Sequence, residues 1–396
     1  MNNEIKKYID NTTFKVEKNI EGRFFDQKCT PDVVCAIAEC VLEYTKDDVT
    51  LCFTKDDIWH FDYTNSLITE SFSKPNLDED GSKSEYDKFF AHPLEMLAFA
   101  GILSRAKIKG RNFYTVVKRD FLEYISARER NALDFIDAYL VKLLNDNGLM
   151  KVFEVFFEKQ DKTSFLSLRA TLKSFIYSHT RIENDKEPSR IFNKMINVIC
   201  YKRHLKGSTR GHLSKNAITL NEIRYNNTNW RDIDKSKSMS RKDYYALINS
   251  EINKDSGFYK YQIEKAKQFV KKIEKFSEIH RFENYPASQA HHIFMASEFP
   301  EIADCPENII CITPNQHYTF AHLDGNTQMV DKDYQIVCLL CKLDSIEINF
   351  RQGKDDYSLP DFVNVLNVGL GTDFFKPQMN FEEIKFNIMK KSYYHN

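Results

Sequence analysis

The chain opens on no apolar stretch, and no later run of uncharged apolar residues is long enough to cross a bilayer. Neither a secretory leader nor a membrane-spanning helix is therefore expected. Net charge is missing too: 56 Lys and Arg stand against 57 Asp and Glu in 396 residues. Spread evenly, that balance would argue against a polyanion as partner. A disulfide framework is also absent, because nine cysteines at irregular spacing, with no export signal, point to reduced thiols and a cytoplasmic protein. With 42% hydrophobic and 29% charged residues the composition is that of a globular protein, large enough for two or three domains with their own cores. The pattern along the chain predicts an α+β fold that is mainly helical.

The charge is not spread evenly. Lys and Arg gather in the centre while acidic residues dominate both ends, so a local field can hold a polyanion despite the neutral total. Tyr201 to Asp232 is the most informative part. It sets Lys202, Arg203, Lys206, Arg210, Lys215, Arg224 and Arg231 among Gly207, Gly211, hydroxyl and amide side chains, Tyr225 and Trp230, with few carboxylates and in a loop-like setting. Those residue types hold phosphates and reach base edges, and DNA contact is expected there.

Ser288 to His322 carries the chemistry. Ala290 to Phe294 reads as a short strand and Ile309 to Thr313 as a second, with Pro300, Asp304 and Pro306 marking the loop between them. Thr313 and Pro314 then read as the N-cap and first residue of a helix. Adjacent strand residues face opposite ways, so His291 and His292 cannot do the same job. The economical assignment gives His291 to a metal and leaves His292 to take a proton from water. His317, one turn into the helix, is the second metal ligand. Asn308 reads as a brace whose amide bonds loop backbone and fixes the strand carrying the base.

This arrangement resembles the HNH, or ββα-metal, nuclease family, with His292, Asn308 and His317 as the three letters of the name and His291 where the family places its first metal ligand. The stretch AHHIF, FPEIA, ENIICITPNQHYTFAH is similar in particular to the version in bacterial type II restriction endonucleases, and K-G-S-T-R-G with Y-N-x-x-N-W-R-D is similar to wording in such enzymes. The resemblance implies attack on a phosphodiester by water activated by His292. One divalent ion, usually magnesium, would neutralise the scissile phosphate and stabilise the leaving oxygen. One position departs from the commonest pattern: a second helix histidine usually follows the first by four residues, whereas His322 follows His317 by five, which makes it a secondary metal or phosphate ligand. Some relatives hold a structural zinc by four cysteines, which brings in Cys305, Cys311, Cys338 and Cys341. Cys338 and Cys341 lie in the helix-like run YQIVCLLCKL, where cysteine behaves as a small buried residue, and zinc is not favoured.

Around that unit, residues 1–150 read as a DNA-recognition region. Helices near Asp32–Tyr44, after Thr54 and around Pro93 precede a β element with Lys107, Lys109, Arg111, Lys118 and Arg119 nearby. That is the order of a winged helix, in which one helix enters the major groove and the wing follows the backbone. Residues 151–255 read as helical and basic, 256–282 as an amphipathic linking helix, 283–350 as the nuclease domain and 351–396 as a helical extension. The expected function is sequence-specific cleavage of double-stranded DNA within a restriction-modification system, with a cognate DNA methyltransferase as genetic partner. Separate reading and cutting regions hint at cleavage to one side of the site (type IIS). Because one HNH site attacks one strand, at least a transient homodimer is expected. A homing or phage-type HNH endonuclease and a non-catalytic DNA-binding protein are the alternatives.

Overall fold

A computed structural model describes residues 3–17, 24–72, 82–225, 257–279, 284–321 and 330–392. The chain divides into two compact units, Met1–Met239 and Ser240–Asn396. Helices predominate, and the strands pair into small antiparallel sheets.

The first unit is built around α2 (Pro31–Tyr44), which packs against α4 (Asp62–Phe72), α5 (Ser82–Phe99), α6 (Arg119–Ala127) and α7 (Glu129–Asp146). Its run from Val33 to Ala38 is wholly buried, as are Cys40 and Val41. A helix apolar on every side must sit at the centre of its neighbours, and each such side chain stabilises by roughly 1.5–3 kcal/mol on burial. A short helix, α3 (Lys55–Trp59), starts at Thr54, which closes a capping box with Asp57. Beyond α5 the chain makes β1 (Leu103–Ile108) and β2 (Arg111–Val116), registered from Leu103 opposite Val116 to Ile108 opposite Arg111. Phe53 adds a one-residue third strand: its N–H donates to Tyr114 O at 2.9 Å and its carbonyl accepts from Tyr114 N at 2.7 Å. The helix expected around Pro93 neither starts nor stops there: α5 carries the proline in its interior.

The same unit continues through α8 (Met150–Lys159), α9 (Lys162–His179) and α10 (Lys186–Tyr201) to β3 (Lys206–Thr209), β4 (His212–Ala217) and the single turn α11 (Leu220–Ile223). Here the structure differs from the loop expected of the basic stretch. The hairpin shows no alternation of apolar residues, which is why the pattern does not announce it. Polar contacts from α10 hold it instead: Asn197 accepts from Ser208 N at 2.7 Å and donates to Ser208 O at 2.9 Å, completing the backbone pairing of β3 with a side chain. Asn193 accepts from the Ser208 hydroxyl at 2.7 Å. A Cβ at Gly207 would stand 2.6 Å from Asn197 Oδ1 and 2.7 Å from Ile218. Gly207→Ala is therefore expected to destabilise the unit by about 1–3 kcal/mol through overpacking. Urea denaturation checks this, and a midpoint unchanged from wild type would remove the argument.

In the second unit α12 (Gly257–Ile273) packs on β5 (Gln289–His292) and β6 (Ile309–Ile312), which pair antiparallel with His291 opposite Ile310 and His292 opposite Ile309. The helix ends sooner than its apolar stripe suggested, and Phe276 pairs instead with Pro286 in an isolated bridge. Further on come α13 (Lys332–Arg351), α14 (Leu359–Gly369) and α15 (Phe381–Ser392). Ile293, Phe294, the four residues of β6, Cys338, Leu339, Phe362 and Leu366 form one core behind the strands. No helix among the described residues is long and apolar enough to cross a membrane.

Candidate active site

β5 and β6 are joined by a loop whose backbone is tied by one side chain. The buried Asn308 accepts from Phe294 N at 2.9 Å and donates from Nδ2 to Phe294 O at 3.0 Å and to Ile302 O at 3.2 Å. One amide thus fastens the end of β5 to the middle of the loop. Gln335 of α13 adds a brace, donating to Ile293 O at 2.6 Å.

His292 is half-buried, and its Nε2 lies 2.9 Å from Ala303 O. A carbonyl can only accept, so Nε2 carries the proton and the lone pair is left on Nδ1. That is the tautomer a general base needs. Burial pushes its pKa down from the ordinary 6.5 to about 4; the Ala303 bond opposes the shift, Lys267 adds to it, and Glu264 opposes it. The ring is consequently neutral at physiological pH. The sign for stability follows, because the unfolded chain takes up a proton near pH 6.5 and the folded ring does not until about pH 4. This contribution is present above about pH 6.5 and is lost as pH falls towards 4. A ring titration of His292 by NMR in the metal-free protein should show a midpoint well below 6; a midpoint at the ordinary value would contradict the burial argument.

His291, buried and on the other face of β5, approaches the half-buried His317 edge-on, with ring centroids 5.3 Å apart and planes at 78°. Two imidazoles sharing one cation, each at a nitrogen–metal distance of about 2.1 Å, take up a separation of this size. His317 stands in a turn that starts as expected. Thr313 Oγ1 accepts from Gln316 N at 3.2 Å and Gln316 Oε1 accepts from Thr313 N at 2.9 Å. The turn then widens into a π-helix over Gln316–Phe320, closed by Ala321 N donating to Gln316 O at 3.0 Å. His322 lies outside the described residues. Among the described residues no three of His, Cys, Asp and Glu are grouped so as to hold a metal. Cys305, Cys311 and Cys338 are buried free thiols and Cys341 is a half-buried one, and burial pushes Cys311 up to about 11.

The basic residues of the first unit divide into two sets. Lys202 pairs with Asp134 at 2.5 Å, Arg203 with Asp137 at 2.9 Å, and Arg224 grips both carboxylate oxygens of Glu129 at 2.6–3.1 Å. All three carboxylates belong to α7, and the Arg224 side chain is only 13% exposed, so these cations fasten the hairpin region and the end of α11 to α7. Lys206, Arg210 and Lys215 lie on the β3–β4 hairpin, with Arg210 and Lys215 exposed. Arg231 lies outside the described residues.

The Ala303 carbonyl and Gln335 had no signature in the sequence. A carbonyl belongs to every residue, and a glutamine in a helix usually faces water; only the fold brings them to β5. Comparison of the chain with protein-family models, with curated proteins and with solved structures gave no match in any of the three.

Proposed function

We propose that this protein is a metal-dependent endonuclease that cuts double-stranded DNA at specific sequences. The observation that carries the reading is the state of His292, its Nε2–H held by Ala303 O and its Nδ1 left with the lone pair, on a strand whose preceding residue, His291, meets His317 with ring centroids 5.3 Å apart. His291 and His317 would hold the divalent ion, which supplies charge neutralisation at the scissile phosphate. Two imidazoles, one on a strand and one on the following turn, suit a transition-type divalent ion better than Mg2+, which would have to take its other positions from water and phosphate oxygens. His322, which lies outside the described residues, belongs to the same proposal as a further metal or phosphate donor on its sequence position alone.

In the proposed step, His292 Nδ1 takes a proton from water as its oxygen bonds to phosphorus and the bond from phosphorus to the leaving sugar oxygen breaks. Asn308 acts on the reaction through β5, keeping the imidazole where its Nε2 meets Ala303 O. The order helix, one-residue strand at Phe53, helices, then β1 and β2 supports a winged-helix reading of residues 31–116. A single site attacks one strand, so two copies on the duplex, or two successive nicks, complete the cut. A cognate methyltransferase is proposed as genetic partner.

Incubating the full chain with a fully sequenced DNA in the presence of Mg2+, and mapping every new end, tests the proposal. Ends recurring at one sequence, abolished by a chelator, are the expected result. Intact DNA with Mg2+, Mn2+, Ni2+ and Zn2+ alike would overturn it.

A further inference from the structure

The first unit contains two β-hairpins of the same build. Each follows a long helix and leads into a shorter one: α5, β1, β2, α6 and then α10, β3, β4 and the single turn α11. Each closes on a two-residue turn whose first residue is basic and whose second is glycine. Lys109 and Gly110 have φ of 49° and 81°, and Arg210 and Gly211 have φ of 55° and 80°. Two successive positive φ angles make the turn that matches the right-handed twist of paired strands. A lysine or arginine in the first position bears a conformational cost that asparagine or glycine would bear more easily. Both hairpins therefore keep a cation where the backbone favours something else.

Each hairpin is also pegged by one buried polar side chain of the helix before it. Glu95 of α5 accepts from Asn112 at 2.7 Å, from the Tyr114 hydroxyl and from Arg105. Asn197 of α10 holds both backbone groups of Ser208, and Arg169 donates to Gly211 O at 2.9 Å next to the turn. With their bases fastened, the tips project. Residues 106–111 are all exposed, as are Thr209, Arg210, His212 and Lys215. Lys109, Arg111 and Lys215 have no ion-pair partner among the described residues, unlike Lys202, Arg203 and Arg224.

The helix that would read a groove in a winged helix is not free to do so. From Tyr86 to Phe99 every residue of α5 is buried or half-buried, the side chains of Asp87 and Lys88 reaching solvent most. Lys88 turns to Glu187 at 3.9 Å, His92 to Asp26 at 3.4 Å, and Phe89 packs on Tyr225 with ring centroids 5.2 Å apart. A helix packed in this way over Tyr86–Phe99, with one of its few solvent-reaching side chains an aspartate, offers little to the edges of a major groove.

We infer that this unit docks on duplex DNA through the tips of the β1–β2 and β3–β4 hairpins, whose Lys107, Lys109, Arg111, Arg210 and Lys215 neutralise backbone phosphates, and not through helix α5. The inference rests on the duplex-DNA reading above and specifies which surface serves it. Two-stranded ribbons fit a groove and track the backbone as helices do. Cations on a fixed tip lose little side-chain freedom on docking compared with cations on a mobile loop.

The test follows binding of a fluorescently labelled duplex of mixed sequence to the full chain across a series of salt concentrations. One variant combines Lys107→Gln, Lys109→Asn and Arg111→Gln; the other combines Arg210→Asn and Lys215→Gln. Asparagine at the two turn positions removes charge while accepting the left-handed backbone. Each variant is expected to bind roughly tenfold more weakly or worse, with the slope of log K against log salt reduced by about 0.9 for each phosphate no longer neutralised. Lys202→Gln, which removes a cation already paired with Asp134, should leave the slope unchanged. A second measurement needs no variant: bound duplex should protect Lys109 and Lys215 of the wild-type chain from an amine-modifying reagent. Wild-type affinity and slope in both variants, or no protection at either lysine, would overturn the hairpin inference while leaving the nuclease reading intact if the chain still cuts. A wild-type chain that neither binds nor cuts duplex DNA would overturn both.

Discussion

His292→Ala is expected to lower DNA cleavage by roughly 10²–10⁴-fold, the range that general acid-base groups contribute, and to leave duplex binding unchanged. The asymmetry is physical. The imidazole accepts its proton only as the water attacks, so its removal raises the barrier without touching interactions made in the ground state. The fold should tolerate the change, because the loop that His292 touches through Ala303 O is also held by Asn308 at Phe294 and Ile302. His317→Ala should behave differently: removing a metal ligand weakens metal binding, so its defect should be relieved in part by raising the metal concentration, whereas that of His292→Ala should not. Single-turnover cleavage beside duplex titration distinguishes the two. Wild-type cleavage by the His292 variant would dispose of the proposed base.

Lys342→Met is expected to cost the second unit about 3–5 kcal/mol, the usual consequence of stripping one partner from a buried ion pair. Lys342 and Glu278 are both fully buried as side chains, 3.4 Å apart. The ammonium also lies 3.8 Å from the centroid of the Tyr357 ring, whose electron-rich face favours a cation. Glu278 accepts in addition from Cys311 N at 2.7 Å and from the Ser345 hydroxyl. It joins β6 to α13, and the carboxylate left behind would be without its counter-charge in a dry interior. Adding Glu278→Gln should recover much of the stability, since the remaining hydrogen bonds no longer need a charge. Urea denaturation of the single and double variants makes the cycle; a single variant within about 1 kcal/mol of wild type would mean that the pair is solvated in solution.

Much of the second unit was legible because its signals are local. The apolar run of β6, the proline-marked loop and the Thr313 cap each depend on a few neighbouring residues, and strand alternation already sends His291 and His292 to opposite faces. The β3–β4 hairpin was not legible, since its stabilising partner is Asn197, a polar residue on another element. The division of the basic residues into those held by carboxylates of α7 and those on the β3–β4 hairpin was likewise hidden. Whether Lys202 meets solvent or a carboxylate depends on where α7 lies, and α7 is far away along the chain.

Sequence alone determined that the chain is mainly helical and carries almost no net charge, and it singled out the residues proposed to hold a metal and move a proton, because residue type and short spacing suffice to propose them. Tertiary structure alone decided which nitrogen of His292 bears the proton, that α5 from Tyr86 to Phe99 is packed against its neighbours, and that a lysine and a glutamate far apart in the chain share a buried interior. Each of these depends on what surrounds a group in space, and burial and partner distance are properties that no single stretch of sequence possesses.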